Sequence, residues 1–163
     1  MSDNAFLADK LRSGKAVITG WSQLSAPMVP ELFARSGYEA VTLDLQHGMY
    51  DFASACEAIA AIALAGAHRI ARIPVGDNAL AGRLIDMGAD CIIAPMINSL
   101  RDAETFARAV KYPPIGDRSW SPFRAAMLSG QTRDQYLENA NAQTLAFAMI
   151  ETQDAIDALD EIL

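Results

Sequence analysis

The chain has 163 residues, of which 52% are hydrophobic, so it is long enough to bury one sizeable core and we expect a single domain. Its 13 Lys and Arg residues are outnumbered by 20 Asp and Glu residues, and the net charge of -7 argues against a nucleic-acid partner. The most apolar run, residues 58–67, is too short to span a bilayer, and the first residues lack a signal-peptide pattern. We therefore expect a soluble, cytoplasmic protein without a membrane partner.

Hydrophobic periodicity and turn residues predict an alternation of strands and helices. The predicted strands cover residues 16–21, 40–46, 69–74, 90–96 and 145–150. The predicted helices cover residues 4–13, 31–36, 52–65, 78–86, 99–110, 133–141 and 153–163, with Asn78 capping the fourth and Asn98 or Ser99 capping the fifth. Residues 112–124 are rich in Pro and Gly, which predicts a long ordered loop of a kind that often carries function.

The predicted strand 40–46 has one apolar and one polar face. Its polar face consists of Thr42, Asp44 and Gln46, and the strand ends at a His47-Gly48 corner. Strands of parallel sheets are normally apolar on both faces, so three polar side chains in a row indicate a lumen or cleft.

Five βα units with short connections require parallel strands and right-handed crossovers. Two architectures fit this order, an open doubly wound sheet and the first five units of an eight-stranded (β/α)8 TIM barrel. No Gly-x-Gly-x-x-Gly motif follows the first strand, where Gly20-Trp21-Ser22-Gln23 is a poor phosphate cradle, so the barrel is favoured. We expect residues 1–163 to form one α/β domain, a partial barrel without its C-terminal units.

Three candidate functional residues fall near the C-terminal ends of predicted strands, where barrel enzymes carry their chemistry: His47, Arg72 and Glu151. His68 begins the third strand, at the opposite rim, and is interpreted as structural. Glu151 has an alternative reading as the cap of the helix that follows it.

A carboxylate, an imidazole and a guanidinium at one rim suit a substrate that develops negative charge on oxygen. The carboxylate is a ligand for a hard divalent cation, the guanidinium stabilises an enolate, and the imidazole transfers a proton near neutral pH. One carboxylate alone is too few for a metal site.

Six ordered motifs resemble those of the HpcH/HpaI aldolases, and the likeness as a whole covers roughly residues 16 to 155. They are Leu43-Asp-Leu-Gln-His-Gly48, Ala71-Arg-Ile-Pro74, Leu84-Ile-Asp-Met-Gly-Ala89, Ala94-Pro-Met-Ile97, Lys111-Tyr-Pro-Pro-Ile-Gly-Asp-Arg118 and Met149-Ile-Glu-Thr152. The resemblance implies a class II pyruvate aldolase of the phosphoenolpyruvate/pyruvate barrel superfamily, dependent on Mg²⁺, Mn²⁺ or Co²⁺. Its substrates would be a 2-oxo acid and an aldehyde, and its assembly a homo-oligomer, a hexamer by analogy.

The resemblance also implies a role for each residue. His47 would be the base that acts on the hydroxyl of a 4-hydroxy-2-oxo acid, and Arg72 would stabilise the pyruvate enolate. Asp86 would raise the basicity of the histidine, although its helix should end at the opposite rim, so the contact requires a neighbouring subunit. Glu151 would bind the metal, with Asp44 as a supporting neighbour.

The chain differs from the family pattern in two ways. Met149 stands at a substrate-contacting position where several members have Gln, and Met cannot donate the same hydrogen bond. The family's second metal ligand, an aspartate on the following strand, lies beyond residue 163. Two alternatives stay open: an acyl-CoA lyase of the same superfamily, disfavoured by the lack of a basic cluster near the rim, and a non-catalytic interaction module.

Overall fold

Five strands and nine helices make up the computed structural model, which describes residues 6–163 apart from the side chain of Phe123. The strands are β1 (Thr19–Ser22), β2 (Ala40–Asp44), β3 (His68–Arg72), β4 (Cys91–Ala94) and β5 (Leu145–Ala148). The helices are α1 (Leu7–Arg12), α2 (Met28–Arg35), α3 (Phe52–Leu64), α4 (Asn78–Asp86), α5 (Leu100–Val110), α6 (Phe123–Ser129), α7 (Arg133–Gln143), α8 (Gln153–Asp157) and α9 (Leu159–Ile162). The predicted helix start at residues 4 and 5 lies outside the described residues.

The strands form one parallel sheet in the order β1-β2-β3-β4-β5, so neighbours in the sheet are also neighbours in the chain. A doubly wound sheet reverses its strand order at a switch point, whereas a barrel winds in one direction. The observed order is that of five consecutive barrel units.

The sheet face turned away from α3, α4 and α5 changes from apolar to charged along the strands. At the strand starts, Leu7 of α1 forms an apolar layer with the strand residues Ala40, Ile70 and Cys91. One layer further, the hydroxyls of Thr42 and Thr19 lie 2.8 Å apart, and Thr42 is buried. Asp44 comes next, because every second residue of a strand faces the same side. The polar face predicted for β2 is thus an interior layer, although Gln46 lies in the turn that follows the strand.

The opposite face of the sheet carries the main core. Val41 and Leu43 are fully buried there, and they belong to one cluster with the inward side chains of α3, α4 and α5. The largest of these helix residues are Ile59, Ile62, Leu84, Ile85, Phe106 and Val110. This apolar packing holds the strand ends at fixed positions.

Four local details of the sequence prediction were wrong. The α4 cap is Asp77, whose carboxylate accepts a 3.0 Å hydrogen bond from the Leu80 amide, and Asn78 is the first helical residue. Helix α6 begins inside the predicted loop and ends at Gly130, which adopts a left-handed conformation. The predicted helix 153–163 divides at Ala158 into α8 and α9. All five strands are shorter than predicted, because Pro74 and Pro95 lack an amide for the ladder and the other ends turn into loops.

No helix among residues 6–163 has the length and apolar character needed to cross a lipid bilayer.

The sheet has two open edges among the described residues, since β1 and β5 each pair with a single strand. Near β5, Phe147 is 40% exposed and Leu163 is 93% exposed, beside an open groove of about 380 Å³. Near β1, Ile18 is 71% exposed. Unpaired parallel edges flanked by apolar side chains favour association with another chain.

We expect residues 1–163, produced alone, to self-associate in a concentration-dependent manner. Sedimentation velocity over a hundredfold concentration range should show weight-average mass rising with concentration. A Phe147→Lys substitution places a charge at the open β5 edge and should reduce this rise. The matched control is Met127→Lys, which places the same charge on an exposed position of α6 and should leave association unchanged. A strictly monomeric wild-type chain at all concentrations would contradict the prediction.

Candidate active site

An ion pair between Asp44 and Arg72 lies at the C-terminal end of the sheet. Asp44 ends β2 and pairs in register with Arg72, the last residue of β3, so strand pairing places the two side chains together. Arg72 Nε donates to Asp44 Oδ1 at 3.0 Å, and Nη2 donates to Oδ2 at 2.6 Å. The Asp44 side chain is completely buried and that of Arg72 is 12% exposed. This bidentate geometry is the strongest form of the arginine-carboxylate interaction.

Asp44 also accepts hydrogen bonds from four other donors. Trp21 Nε1 and Gln23 Nε2 donate to Oδ2 at 3.3 and 3.1 Å, and the backbone amides of Gln46 and His47 donate to Oδ1 at 3.1 and 3.2 Å. Burial alone raises the pKa of Asp44, but the hydrogen bonds from Arg72, Gln23, the His47 backbone and Trp21 outweigh it and hold this pKa well below its usual range. Asp44 is therefore ionised at neutral pH, and its carboxylate orients Arg72.

Arg72 is further fixed by an aromatic ring. Its Cζ lies 4.9 Å from the centre of the Trp21 ring, within cation-π range. Asp44 engages Nε and Nη2 of Arg72, and Nη1 has no hydrogen-bond partner among the described residues. This guanidinium edge is available to an anionic oxygen at the rim.

His47 lies in the tight turn that follows β2, with its side chain exposed. The next residue, Gly48, makes a close approach: a Cβ atom there would lie 2.2 Å from the Asp44 carbonyl oxygen and 3.0 Å from that of Gln23. Only glycine fits this position, and the Met49 amide then donates to Gln23 O at 2.8 Å. The turn is therefore held against the loop after β1, and His47 occupies a fixed backbone position at the rim.

Glu151 follows β5 and also lies at the rim, with an exposed side chain. Its Oε2 accepts a 3.0 Å hydrogen bond from the backbone amide of Met96, which follows β4. The cap of α8 is Thr152, whose hydroxyl accepts a hydrogen bond from the Ala155 amide. The alternative reading of Glu151 as the helix cap is therefore wrong.

The residues that are present fit a divalent cation only in part. Glu151 offers an exposed carboxylate oxygen, the donor type that hard cations prefer. The oxygens of Asp44 are engaged by nitrogen donors, and no group of three or more His, Cys, Asp or Glu side chains in the described part of the chain is arranged to hold a metal ion. The carboxylate of Glu151 therefore does not form a complete cation site with the other described residues.

Asp86 is not brought to this rim. It ends α4, which runs antiparallel to the strands, so it lies at the opposite end of the sheet from His47. Its Oδ1 accepts a 2.6 Å hydrogen bond from Arg118 Nη2. Burial raises the pKa of Asp86, and the Arg118 hydrogen bond and charge act against that increase. His68 also lies at this far end, with Nδ1 3.8 Å from an oxygen of Asp90.

Met149 follows β5 directly and is half-buried, and its backbone amide donates to Ala94 O at 2.9 Å. Its thioether side chain places an apolar group two residues before Glu151.

The motifs, the strand order and the rim geometry agree with a comparison of sequence families. Residues 18–163 match the family model described as HpcH/HpaI aldolase/citrate lyase. The chain belongs to this family.

Similar proteins include a hydroxypyruvate/pyruvate aldolase from Rhizorhabdus wittichii, 39% identical over 150 residues, which cover 92% of this chain and 59% of that protein. A 4-hydroxy-2-oxovalerate aldolase from Novosphingobium aromaticivorans is 31% identical, over 98% of this chain and 60% of that protein. The crystal structure of an HpcH/HpaI aldolase from Desulfitobacterium hafniense superimposes with a TM-score of 0.87 at 27% identity, covering 96% of this chain and 61% of that one. The chain thus spans about 60% of the length of these HpcH/HpaI relatives, and its fold is that of a partial barrel.

The sequence prediction did not include Trp21 and Gln23 among the site residues of this HpcH/HpaI domain. Both were judged only as a poor phosphate cradle. Their position at the end of the first strand was the available signal, because it places them at the same rim as His47 and Arg72.

We expect Asp44→Asn to lower the free energy of unfolding by about 3 kcal/mol, because it leaves the buried Arg72 charge without a full counter-ion. Urea denaturation at pH 7 measures this loss. The control is Asp117→Asn: Asp117 forms the same bidentate pair with Arg108, but that pair is exposed and screened by solvent, so its loss should be much smaller.

The difference between wild type and Asp44→Asn should also depend on pH. The folded-state pKa of Asp44 lies below the unfolded value of about 3.9, so the carboxylate stabilises the fold above that value and loses this contribution as the pH falls through the folded-state pKa. Denaturation at pH 3 should show a smaller difference than at pH 7. An equal difference at both pH values would contradict the assignment.

Proposed function

We propose that this chain is part of a metal-dependent aldolase that cleaves a 4-hydroxy-2-oxo acid into pyruvate or hydroxypyruvate and an aldehyde, or joins these products in reverse. The observation that carries the proposal is the Asp44-Arg72 pair at the rim, whose carboxylate also holds the His47 turn. The names of the Rhizorhabdus and Novosphingobium relatives support the same reaction class. Because the chain covers about 60% of their length, the activity belongs to a complete barrel.

In the cleavage direction, His47 accepts the proton of the substrate's C4 hydroxyl, directly or through a water molecule. The C3-C4 bond then breaks, C4 becomes the aldehyde carbonyl, and the bonding electrons form the enolate of the 2-oxo acid. The proton held by His47 then passes to C3, directly or through a water molecule, which completes pyruvate or hydroxypyruvate and restores the neutral imidazole. An imidazole suits this transfer because one of its nitrogens can accept a proton and later release it.

Arg72 stabilises the enolate oxygen through the guanidinium edge that Asp44 does not engage. Fixed donors aimed at developing charge need no reorganisation during the reaction, and the bidentate pair with the buried carboxylate provides this rigidity. Asp44 itself acts as a positioning residue.

Glu151 would hold the divalent cation, Mg²⁺, Mn²⁺ or Co²⁺, together with ligands from the remaining barrel. When bound there, the cation would supply Lewis-acid stabilisation of negative charge on the 2-oxo acid. Met149, two residues before Glu151, cannot donate a hydrogen bond to the bound 2-oxo acid. This would make it a residue that affects substrate specificity.

In the proposed enzyme, Asp86 acts on the His47 of a second subunit. Since it lies at the far end of the sheet, it reaches a His47 side chain only when another copy of the protein places its own far end against this rim. The proposed enzyme is therefore a homo-oligomer, a hexamer by family analogy, in the cytoplasm.

The metal-dependent class predicts that no lysine forms a Schiff base. The chain has three lysines, Lys10, Lys15 and Lys111, and none follows the C-terminal end of a strand. Burial lowers the pKa of Lys111. However, its Nζ donates to the carbonyl oxygens of Asn141 and Thr144 beside the start of β5, so this amine lies at the opposite end of the sheet from the rim.

We expect a chelator to abolish cleavage of 4-hydroxy-2-oxovalerate and Mn²⁺ to restore it. The assay uses an extended chain, defined as residues 1–163 joined to the part of the Rhizorhabdus relative beyond its matched region. Pyruvate release is coupled to lactate dehydrogenase, and residues 1–163 alone should be inactive. Borohydride trapping of pyruvate on any lysine, or activity that survives chelation, would contradict the metal-dependent class.

We further expect His47→Ala to lower kcat in the extended chain by at least a hundredfold, while Mn²⁺ and pyruvate affinities change little, because the base acts on the proton in transfer. His68→Ala is the matched control, since the ionic partner of this histidine is Asp90 and not Asp44, Arg72 or Asp86, so kcat should be unchanged. Turnover of His47→Ala at the wild-type rate would rule out its role as the base.

A further inference from the structure

Met96 has an unusual backbone conformation. Its φ of 55° is the only positive φ of a non-glycine residue in the described part of the chain. Side chains with a Cβ atom rarely adopt this region, and such strained positions persist where the surrounding structure requires them. The Met96 side chain is 38% exposed, so burial of the side chain does not explain the conformation.

The left-handed turn instead lets the chain continue towards Asn98 while the Met96 amide faces the loop after β5. Met96 follows β4 and Pro95, and its N–H donates to Glu151 Oε2 at 3.0 Å, across the gap between the loops after β4 and β5. Glu151 is exposed and has several rotatable bonds, so without a partner its carboxylate would sample many orientations. The hydrogen bond removes this freedom at one oxygen.

Two further contacts join the same loops on either side of Glu151. Before it, the Met149 amide donates to Ala94 O at 2.9 Å and continues the strand ladder. After it, the Thr152 hydroxyl donates to Asn98 Oδ1 at 2.7 Å. The Met96 turn is thus held between two fixed points, which provides the constraint that a strained residue needs.

We propose that Met96 is a positioning residue for Glu151: its left-handed backbone lets the chain turn towards Asn98 while the Met96 amide stays bonded to Oε2, which leaves Oε1 to bind a divalent cation. This inference rests on the proposed function, because it takes Glu151 as a cation ligand. Partners that orient a metal ligand typically change metal affinity by about ten- to a hundredfold.

The experiment measures Mn²⁺ affinity of the extended chain by electron paramagnetic resonance, with three substitutions of methionine. Met96→Ile introduces a β-branched side chain, which disfavours positive φ, and should weaken binding at least tenfold. Met96→Gly keeps the amide and permits the turn, so affinity should stay within about threefold of wild type. Met127→Ile makes the same chemical change on exposed α6, where φ is not positive, and should have no effect.

The outcomes separate this inference from the proposed function. Wild-type affinity in Met96→Ile overturns the positioning role, whereas unchanged Mn²⁺ binding in Glu151→Ala overturns the cation site itself. If Met96→Ile does not fold, amide hydrogen exchange provides the second test. The Met96 amide should exchange at least tenfold faster in metal-free Glu151→Ala than in metal-free wild type, and equal rates overturn the inference.

Discussion

The bidentate ion pair of Asp44 and Arg72 is the interaction on which the rest of the rim depends. A carboxylate removed from water is unfavourable unless its oxygens are paired, and here parallel strand register supplies the guanidinium. The same carboxylate accepts the backbone amides of Gln46 and His47, so the turn that carries the histidine is bonded to the group that orients the arginine. One buried charge therefore fixes the guanidinium of Arg72 relative to the backbone of the turn that carries His47.

The position of Asp44 along β2 follows from the layers on the sheet face that is turned away from α3, α4 and α5. Strands of four or five residues provide only two or three inward positions each. The apolar layer under α1 occupies the first, the Thr19-Thr42 hydroxyl pair the second, and Asp44 the third. Only at the third do loop residues after β1 and β2 add donors to those of the strands. A buried carboxylate would lack these partners in either lower layer, so the buried charge is confined to the C-terminal ends of the strands.

Much of this arrangement could be predicted from the sequence, because successive side chains of a strand alternate between the two faces of the sheet. The alternation in β2 placed Thr42 and Asp44 on one face and indicated an interior, and the strand ends indicated His47, Arg72 and Glu151. Contacts that depend on side-chain reach across loops could not be predicted. Gln23 binds Asp44 through a loop whose path depends on the Gly48 close approach, and no local pattern encodes that path. The choice between two adjacent cap residues at α4 depends likewise on backbone angles.

The far end of the sheet has its own buried charge, and its position bears on the proposed chemistry. The Arg118 side chain is 2% exposed and stacks over Tyr112, with Cζ 4.3 Å from the ring centre, so burial and the ring hold the guanidinium that donates to Asp86. Arg118 also favours the charged form of Asp86, which burial disfavours. Within one chain this carboxylate cannot reach His47. In the proposed oligomer, the loop after α5 would therefore set the orientation and charge of a residue that acts on a neighbouring subunit, and catalysis would depend on assembly as directly as on the rim.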